Sequence, residues 1–141
     1  MIVIDASVLT DYLLERHNAM RVVDRLLEGQ DFEPLHAPEV VEPETVNALR
    51  KLSFRGHITT LRASQAVADL GQMRLIRHPH GVLRSRIWEL RDALNAYDAA
   101  YLALAEALGD GLLLTADRGL ADVAGRLLGK DRVRTPGAVT P

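Results

Sequence analysis

Four acidic residues, Asp5, Glu44, Asp98 and Asp117, stand where an α/β fold could put them to chemical use. Asp5 directly follows the apolar run Ile2-Val3-Ile4, and Asp117 comes shortly after Leu112-Leu113-Leu114. Glu44 and Asp98 fall near the beginnings of helix-like segments. The carboxyl ends of strands and the amino ends of the following helices share one rim of an open α/β sheet, so a single topology can gather all four. Carboxylates crowded in a low dielectric repel one another and partly protonate unless a cation neutralises them. A cation is therefore implied. The chain has no cysteine, and its histidines lack metal-ligand spacing, so oxygen donors with open water positions favour Mg2+, or Mn2+, over zinc. A cation so placed binds phosphate oxygens and lowers the pKa of a water for in-line attack, which makes phosphodiester hydrolysis the natural reaction class.

Each acid also has an ordinary reading. Asp5 can cap the helix that follows it, as can Ser7. Asn95 can cap the segment after it, which puts Asp98 in the first turn, where a carboxylate meets the positive end of the helix dipole. Glu39, Glu42 and Glu44 crowd together, and at least two of the three have no role beyond complementing a dipole. His78-Pro79-His80 resembles a metal pair only superficially, because proline forces an extended geometry and no third ligand is adjacent. Thr115 can hydrogen-bond a ligating acid or a water, and Asn95 can do the same if it is not a cap.

Competing chemistries fit less well. An aspartyl phosphotransferase of the haloacid dehalogenase type needs a second acid two residues after the first, and that position is Ser7. A phosphorylated receiver needs adjacent acids after the first strand and a lysine after the last, and neither is present. No glycine-rich phosphate loop and no Ser/His/Asp order is visible.

The stretch 94–117, LNAYDAAYLALAEALGDGLLLTAD, carries two of the acids and organises the rest. Tyr97, Tyr101, Leu104 and Leu108 share one helical face, while Ala99, Ala100, Ala103 and Ala107 keep neighbouring faces thin, which predicts a helix buried on most sides. Gly109 and Gly111 break it before a buried strand at 112–114. Upstream, strand 2–4 leads into a helix from 6 to 13. Residues 17–29 form a second helix, with Met20, Val23, Leu26 and Leu27 inward and Gly29 as its carboxyl cap. Residues 32–37 are a second strand, and 39–55 a helix with Val46, Leu49 and Leu52 on one face. Pro43 either sits in the first turn of that helix or kinks it. A helix capped by Thr59 or Thr60 runs to Met73, and Leu75-Ile76 is a third strand. Residues 82–94 form a helix that buries Leu83, Ile87, Leu90 and Leu94, with Arg84, Trp88 and Arg91 on another stripe. Five arginines against one acid, Glu89, lie between Arg74 and Arg91. That stripe is a solvated face, a contact for an RNA backbone, or a contact for a partner protein. A last helix spans 119–128, and 132–134 is an edge strand before a Pro/Gly-rich tail. Strands alternating with helices predict an α/β fold with a mostly parallel five-stranded sheet covered on both faces.

The 141 residues are most simply one domain, 1–141, and a composition that is 48% hydrophobic and 26% charged is ordinary for a globular protein. The lack of cysteine, of a basic leader and of a long apolar run fits a soluble cytoplasmic protein with no membrane role. A net charge of −2 gives no global pull toward nucleic acid, so any such binding would rely on local basic patches.

At these residues the chain resembles the PIN domain, most closely the VapC-type toxins of bacterial toxin-antitoxin pairs. VIDASVL, APEVVEPETVNALRK, LRDALNAYDAAYLALAEALG and LLLTADRGLA supply the four motifs, which together span nearly the whole chain. The resemblance implies a three-layer α/β/α fold and a metal-dependent ribonuclease toxin, with Asp5, Glu44, Asp98 and Asp117 matching the acidic quartet. Asp5 and Asp98 are the first choice as direct metal ligands; Glu44 and Asp117 act through water or complete a second metal site. Pro43, just before Glu44, is less usual in the pattern and bears on how that acid approaches a metal. The resemblance also implies a homodimer and a cognate antitoxin that wraps the toxin. Transfer, ribosomal and messenger RNA are all compatible substrates. The alternative is a catalytically silent PIN-like module that binds RNA or protein.

Overall fold

Short apolar runs make strands here because both faces of the sheet are covered, so no polar alternation is needed. The computed structural model describes residues 1–28 and 33–137. Its strands are β1 (Ile2–Ile4), β2 (Leu35–Pro38), β3 (Leu75–His78), β4 (Leu112–Leu114) and β5 (Val133–Arg134). They form one five-stranded sheet in the order β3-β2-β1-β4-β5, and every pairing is parallel. The chain builds outward from β1 to β3 and then returns to the other side of β1 with β4. That reversal makes the β1/β4 boundary the topological switch point, where open α/β sheets have their crevice at the strand carboxyl ends.

Helices α1 (Ala6–Leu13), α2 (His17–Leu27), α3 (Val41–Phe54) and α4 (Thr60–Gln72) come early in the chain, and α1 packs against the other three. Helices α5 (Arg84–Glu89) and α7 (Arg118–Leu128) both pack against α6 (Ala96–Ala107), which lies on β1, β2 and β4. The predicted three layers are thus present. Val3, Ile4, Leu113 and Leu114 are fully buried in the two central strands, and Ala99 through Ala105 are all buried in α6. The alanines of α6 let its backbone come close to the sheet. Gly111 shows how close the α6–β4 connection runs, since a Cβ there would lie 2.6 Å from the carbonyl oxygen of Ala105.

The structure departs from the periodicity in specific places. The predicted helix over 82–94 is not continuous: a 3-10 turn at Gly81–Leu83 precedes α5, and after Leu90 the amides of Arg91 and Ala93 bond three residues back rather than four. This tightening lets the chain reach Asn95 in an extended conformation, as a capping residue requires. Arg86 clamps the short α5 to α6, its Nε and Nη2 donating to the two carboxylate oxygens of Glu106 at 3.0 and 3.1 Å. Tyr97, assigned to the buried face of α6, is exposed because it lies in the first turn, beyond the edge of the layer. Val46 is also exposed, and Val41, Thr45 and Leu49 form the buried stripe of α3 instead. Helix α3 starts at Val41 rather than Glu39. Pro43 sits in its first turn without blocking it, since Glu44 N already bonds Val40 O at 3.1 Å and the amide that proline lacks has no helical partner there. The predicted cap at Gly29 and the start of the second strand at Phe32 lie outside the described residues, as does the end of the tail.

Candidate active site

Register places the first two site residues side by side. Because Ile4 pairs with Leu114, the chains leave the sheet at Asp5 and Thr115, and the Thr115 hydroxyl donates to Asp5 Oδ2. Asp5 Oδ1 accepts from the Ser7 hydroxyl at 2.6 Å and from the Val8 amide at 3.1 Å, which also makes Asp5 the cap of α1. Three of roughly four acceptor directions on this carboxylate are thereby used, and the open one is on Oδ2. Asp5 is only 4% exposed. Burial pushes its pKa up, the three donors pull against that, and the charge of Asp117 adds to the rise.

The same loop is tied a second time. Ser7 Oγ accepts from the Ala116 amide at 3.1 Å, and Thr115 Oγ1 accepts from the Asp117 amide at 3.0 Å. Asp117 Oδ1 in turn caps α7 by accepting from the Leu120 amide at 2.9 Å. Asp5 and Asp117 therefore serve as caps, while Asp5 keeps an open acceptor direction on Oδ2 and Asp117 keeps an oxygen that no donor in the described residues takes.

Asp98 differs. Asn95 caps α6, its Oδ1 accepting from the Asp98 amide at 2.9 Å, so the carboxylate of Asp98 is not needed as a cap. Among the described residues no hydrogen-bond donor reaches that carboxylate. Burial and then the charges of Asp117, Glu44 and Asp5 push its pKa up to about 6. Glu44, near the start of α3, accepts a hydrogen bond at 2.6 Å from the hydroxyl of Tyr101, itself almost fully buried in α6. Burial raises the pKa of Glu44, the Tyr101 donor lowers it, and Asp5 raises it again. The structure thus brings Asp5, Glu44, Asp98 and Asp117 into one electrostatic neighbourhood, reached from four different helices.

The donor set is all oxygen. Among the described residues no three His, Asp or Glu side chains already converge as a ligand group. An ion that keeps several waters and uses one or two carboxylates fits this arrangement, which is the habit of Mg2+, whereas a closed all-protein cage does not form. The free carboxylate of Asp98 and the open Oδ2 of Asp5 are the best available donors.

The stripe of Arg84, Trp88 and Arg91 lies elsewhere. These residues line a surface cavity of about 250 Å³ with Ala96, at the junction of α5 and α6. The Arg91 guanidinium stacks 4.4 Å above the Trp88 ring. Two contributors were not visible as such in the sequence. Ser7 is more than a helix starter, since it joins Asp5 to the β4–α7 loop, and Tyr101 is more than a core residue, since its hydroxyl holds Glu44. The phenol among α6 alanines was the available signal for the latter, because a buried Tyr hydroxyl nearly always has a polar partner.

The PIN domain family profile matches residues 2–126. The ribonuclease VapC9 of Mycobacterium tuberculosis is 38% identical over 122 residues, covering 86% of this chain and 90% of that protein. Ribonuclease VapC3 of the same species is 32% identical over 117 residues, 83% of each chain. Ribonuclease VapC1 is 35% identical over 124 residues, 87% of this chain and 90% of that one. With the acids assembled at the β1/β4 crevice and these similarities over most of its length, the chain belongs to the PIN domain family, alongside the VapC ribonucleases.

Proposed function

We propose that the chain is a ribonuclease toxin that uses Mg2+ or Mn2+ to hydrolyse phosphodiester bonds in RNA, and that Asp5, Glu44, Asp98 and Asp117 are its active-site acids. One observation carries the reading: Asp98 presents a half-buried carboxylate with no donor among the described residues, in the field of three other acids, where a bound cation relieves the repulsion that otherwise raises its pKa. Asp98 and Asp5 Oδ2 are the direct ligands, and Glu44 and Asp117 act through water or at a second ion. A bound divalent cation supplies charge neutralisation for the phosphate and a water of lowered pKa. The chain's own part is positioning. Thr115 and Ser7 fix both oxygens of Asp5, Tyr101 fixes one oxygen of Glu44, and the remaining oxygens of Glu44 and Asp117 are left to accept protons from water at the phosphate. Similarity to the VapC ribonucleases supports an antitoxin partner and a homodimer as parts of the same reading, with the protein acting in the cytoplasm.

The test is RNA cleavage by the purified chain. Cleavage that stops with chelator, returns with Mg2+ or Mn2+ and is absent in Asp5→Asn is the expected result. Full cleavage in excess chelator, or growth inhibition undiminished in Asp5→Asn, overturns the reading in favour of a binding module.

A further inference from the structure

A groove of about 500 Å³ separates α1 from α3, and Ser7 and Glu44 line it, so it meets the acid cluster at Glu44. Away from Glu44 its lining carries three cations, Arg16, Lys51 and Arg55, against one acid, Asp11. Glu44, Lys51 and Arg55 are spaced i, i+7 and i+11 along α3, which keeps them on one face. Helical rise puts Lys51 about 10 Å and Arg55 about 16 Å from Glu44 along the axis. Both are exposed, and among the described residues neither forms an ion pair. Arg16 shares its charge with Asp11 at 3.6 Å on the opposite wall.

Cations two and three turns from Glu44 do little to neutralise the acids, because exposed charges that far apart are screened by salt. They suit an anion that extends. A polyanionic strand with one phosphate at the acid cluster must carry its next phosphates away from it, and the groove offers successive positive charges along that course.

We propose that the α1–α3 groove seats the single-stranded RNA flanking the scissile phosphate, with Lys51 and Arg55 pairing successive backbone phosphates and Arg16 closing the far wall. This rests on the ribonuclease reading of the acid cluster. The interaction is with phosphates and so is independent of base sequence. Lys51 and Arg55 are positioning residues that raise affinity without touching the reacting atoms.

The experiment measures binding of a fluorescein-labelled, mixed-sequence single-stranded RNA to the Asp98→Asn chain over a salt series, with and without Lys51→Gln plus Arg55→Gln. Loss of two phosphate contacts should flatten the log-log salt slope by roughly 1 to 1.5 units. In the otherwise wild-type chain the same pair should raise KM and leave kcat within about twofold, with melting unchanged and Lys51→Arg restoring the slope at its own position. A chain that cleaves RNA with slope and KM indifferent to the double substitution overturns the groove assignment alone. A chain that shows the slope change but never cleaves with Mg2+ or Mn2+ upholds the groove and overturns the ribonuclease reading. An unchanged RNA slope with lost binding of fluorescein-labelled poly-glutamate overturns it and gives the groove to an acidic protein segment.

Discussion

The hydroxyl of Tyr101, in the middle of α6, donates a 2.6 Å hydrogen bond to Glu44 at the start of α3. Residues 57 apart in sequence are thus joined, and an acid on one helix is aimed by a side chain on another. An ionised acceptor makes this a strong bond, and α6 is packed tightly enough on the sheet to hold the phenol still.

Tyr101→Phe keeps the ring in the core and removes only the donor. A hydrogen bond to a charged group is worth about 1.5–3 kcal/mol, so kcat/KM should fall by roughly ten- to a hundredfold with little change in the circular dichroism spectrum. Because the lost donor was holding the Glu44 pKa down, the acid limb of the pH–rate profile should move to higher pH. An unmoved limb with an unchanged rate means that Glu44 needs no aim from Tyr101.

Asp98→Asn should abolish cleavage and stabilise the cation-free protein. With its pKa raised from 3.8 to about 6, Asp98 holds a proton in the folded chain that the unfolded chain has already released. Its contribution to stability therefore declines as pH rises through that window and reaches its minimum above it. In chelator, the variant should melt higher than wild type at neutral pH, with a shallower fall in Tm between pH 4 and 6. A lower Tm at neutral pH would make Asp98 a structural residue of α6.

Thr115→Val preserves shape at a fully buried position and removes both the donor to Asp5 and the acceptor for the Asp117 amide. Asp5 keeps its bonds from Ser7 and Val8 but loses the donor on Oδ2, and the Asp117 amide loses its acceptor, so the fold should be destabilised by about 1–3 kcal/mol and cleavage cut more than tenfold. Thr115→Ser, which keeps the hydroxyl, should retain activity. Chemical denaturation and initial rates measure the two effects, and equal activity in both variants contradicts the role given to the hydroxyl.

Trp88, 66% exposed, lies with Arg84 and Arg91 at the α5–α6 corner. Tryptophan and arginine are favoured anchors in protein interfaces. Arg84→Ala with Arg91→Ala should therefore leave the RNA salt slope unchanged and shift sedimentation toward monomer. A slope flattened by one to two units assigns this corner to RNA.

How much of this was legible in the chain follows the range of each interaction. Strands β1 and β4, the acids just beyond them, the capping by Asn95 and the break at Gly109 to Gly111 depend on neighbours within a few residues, and apolar runs, caps and glycines report those directly. The four acids and the absence of cysteine can be read directly from the chain, and they point to an oxygen-bound cation only once a fold gathers them. The mostly parallel five-stranded sheet covered on both faces was likewise legible in the sequence, because local periodicity and parallel connections leave few topologies.

Tertiary structure decided which side chain serves which. Periodicity put Tyr97 and Tyr101 on the same face, yet only Tyr101 lies under the layer and reaches Glu44, because burial depends on where a helix ends against its neighbours. Arg84, Trp88 and Arg91 shared a sequence stripe but surround a corner of their own, and the cations that line the acid groove, Lys51 and Arg55, sit on α3, where the sequence showed mainly an acidic cluster. The bond from Thr115 to Asp5 exists because Ile4 and Leu114 share a register, and register is a property of two strands paired across more than a hundred residues of chain, which no local pattern encodes.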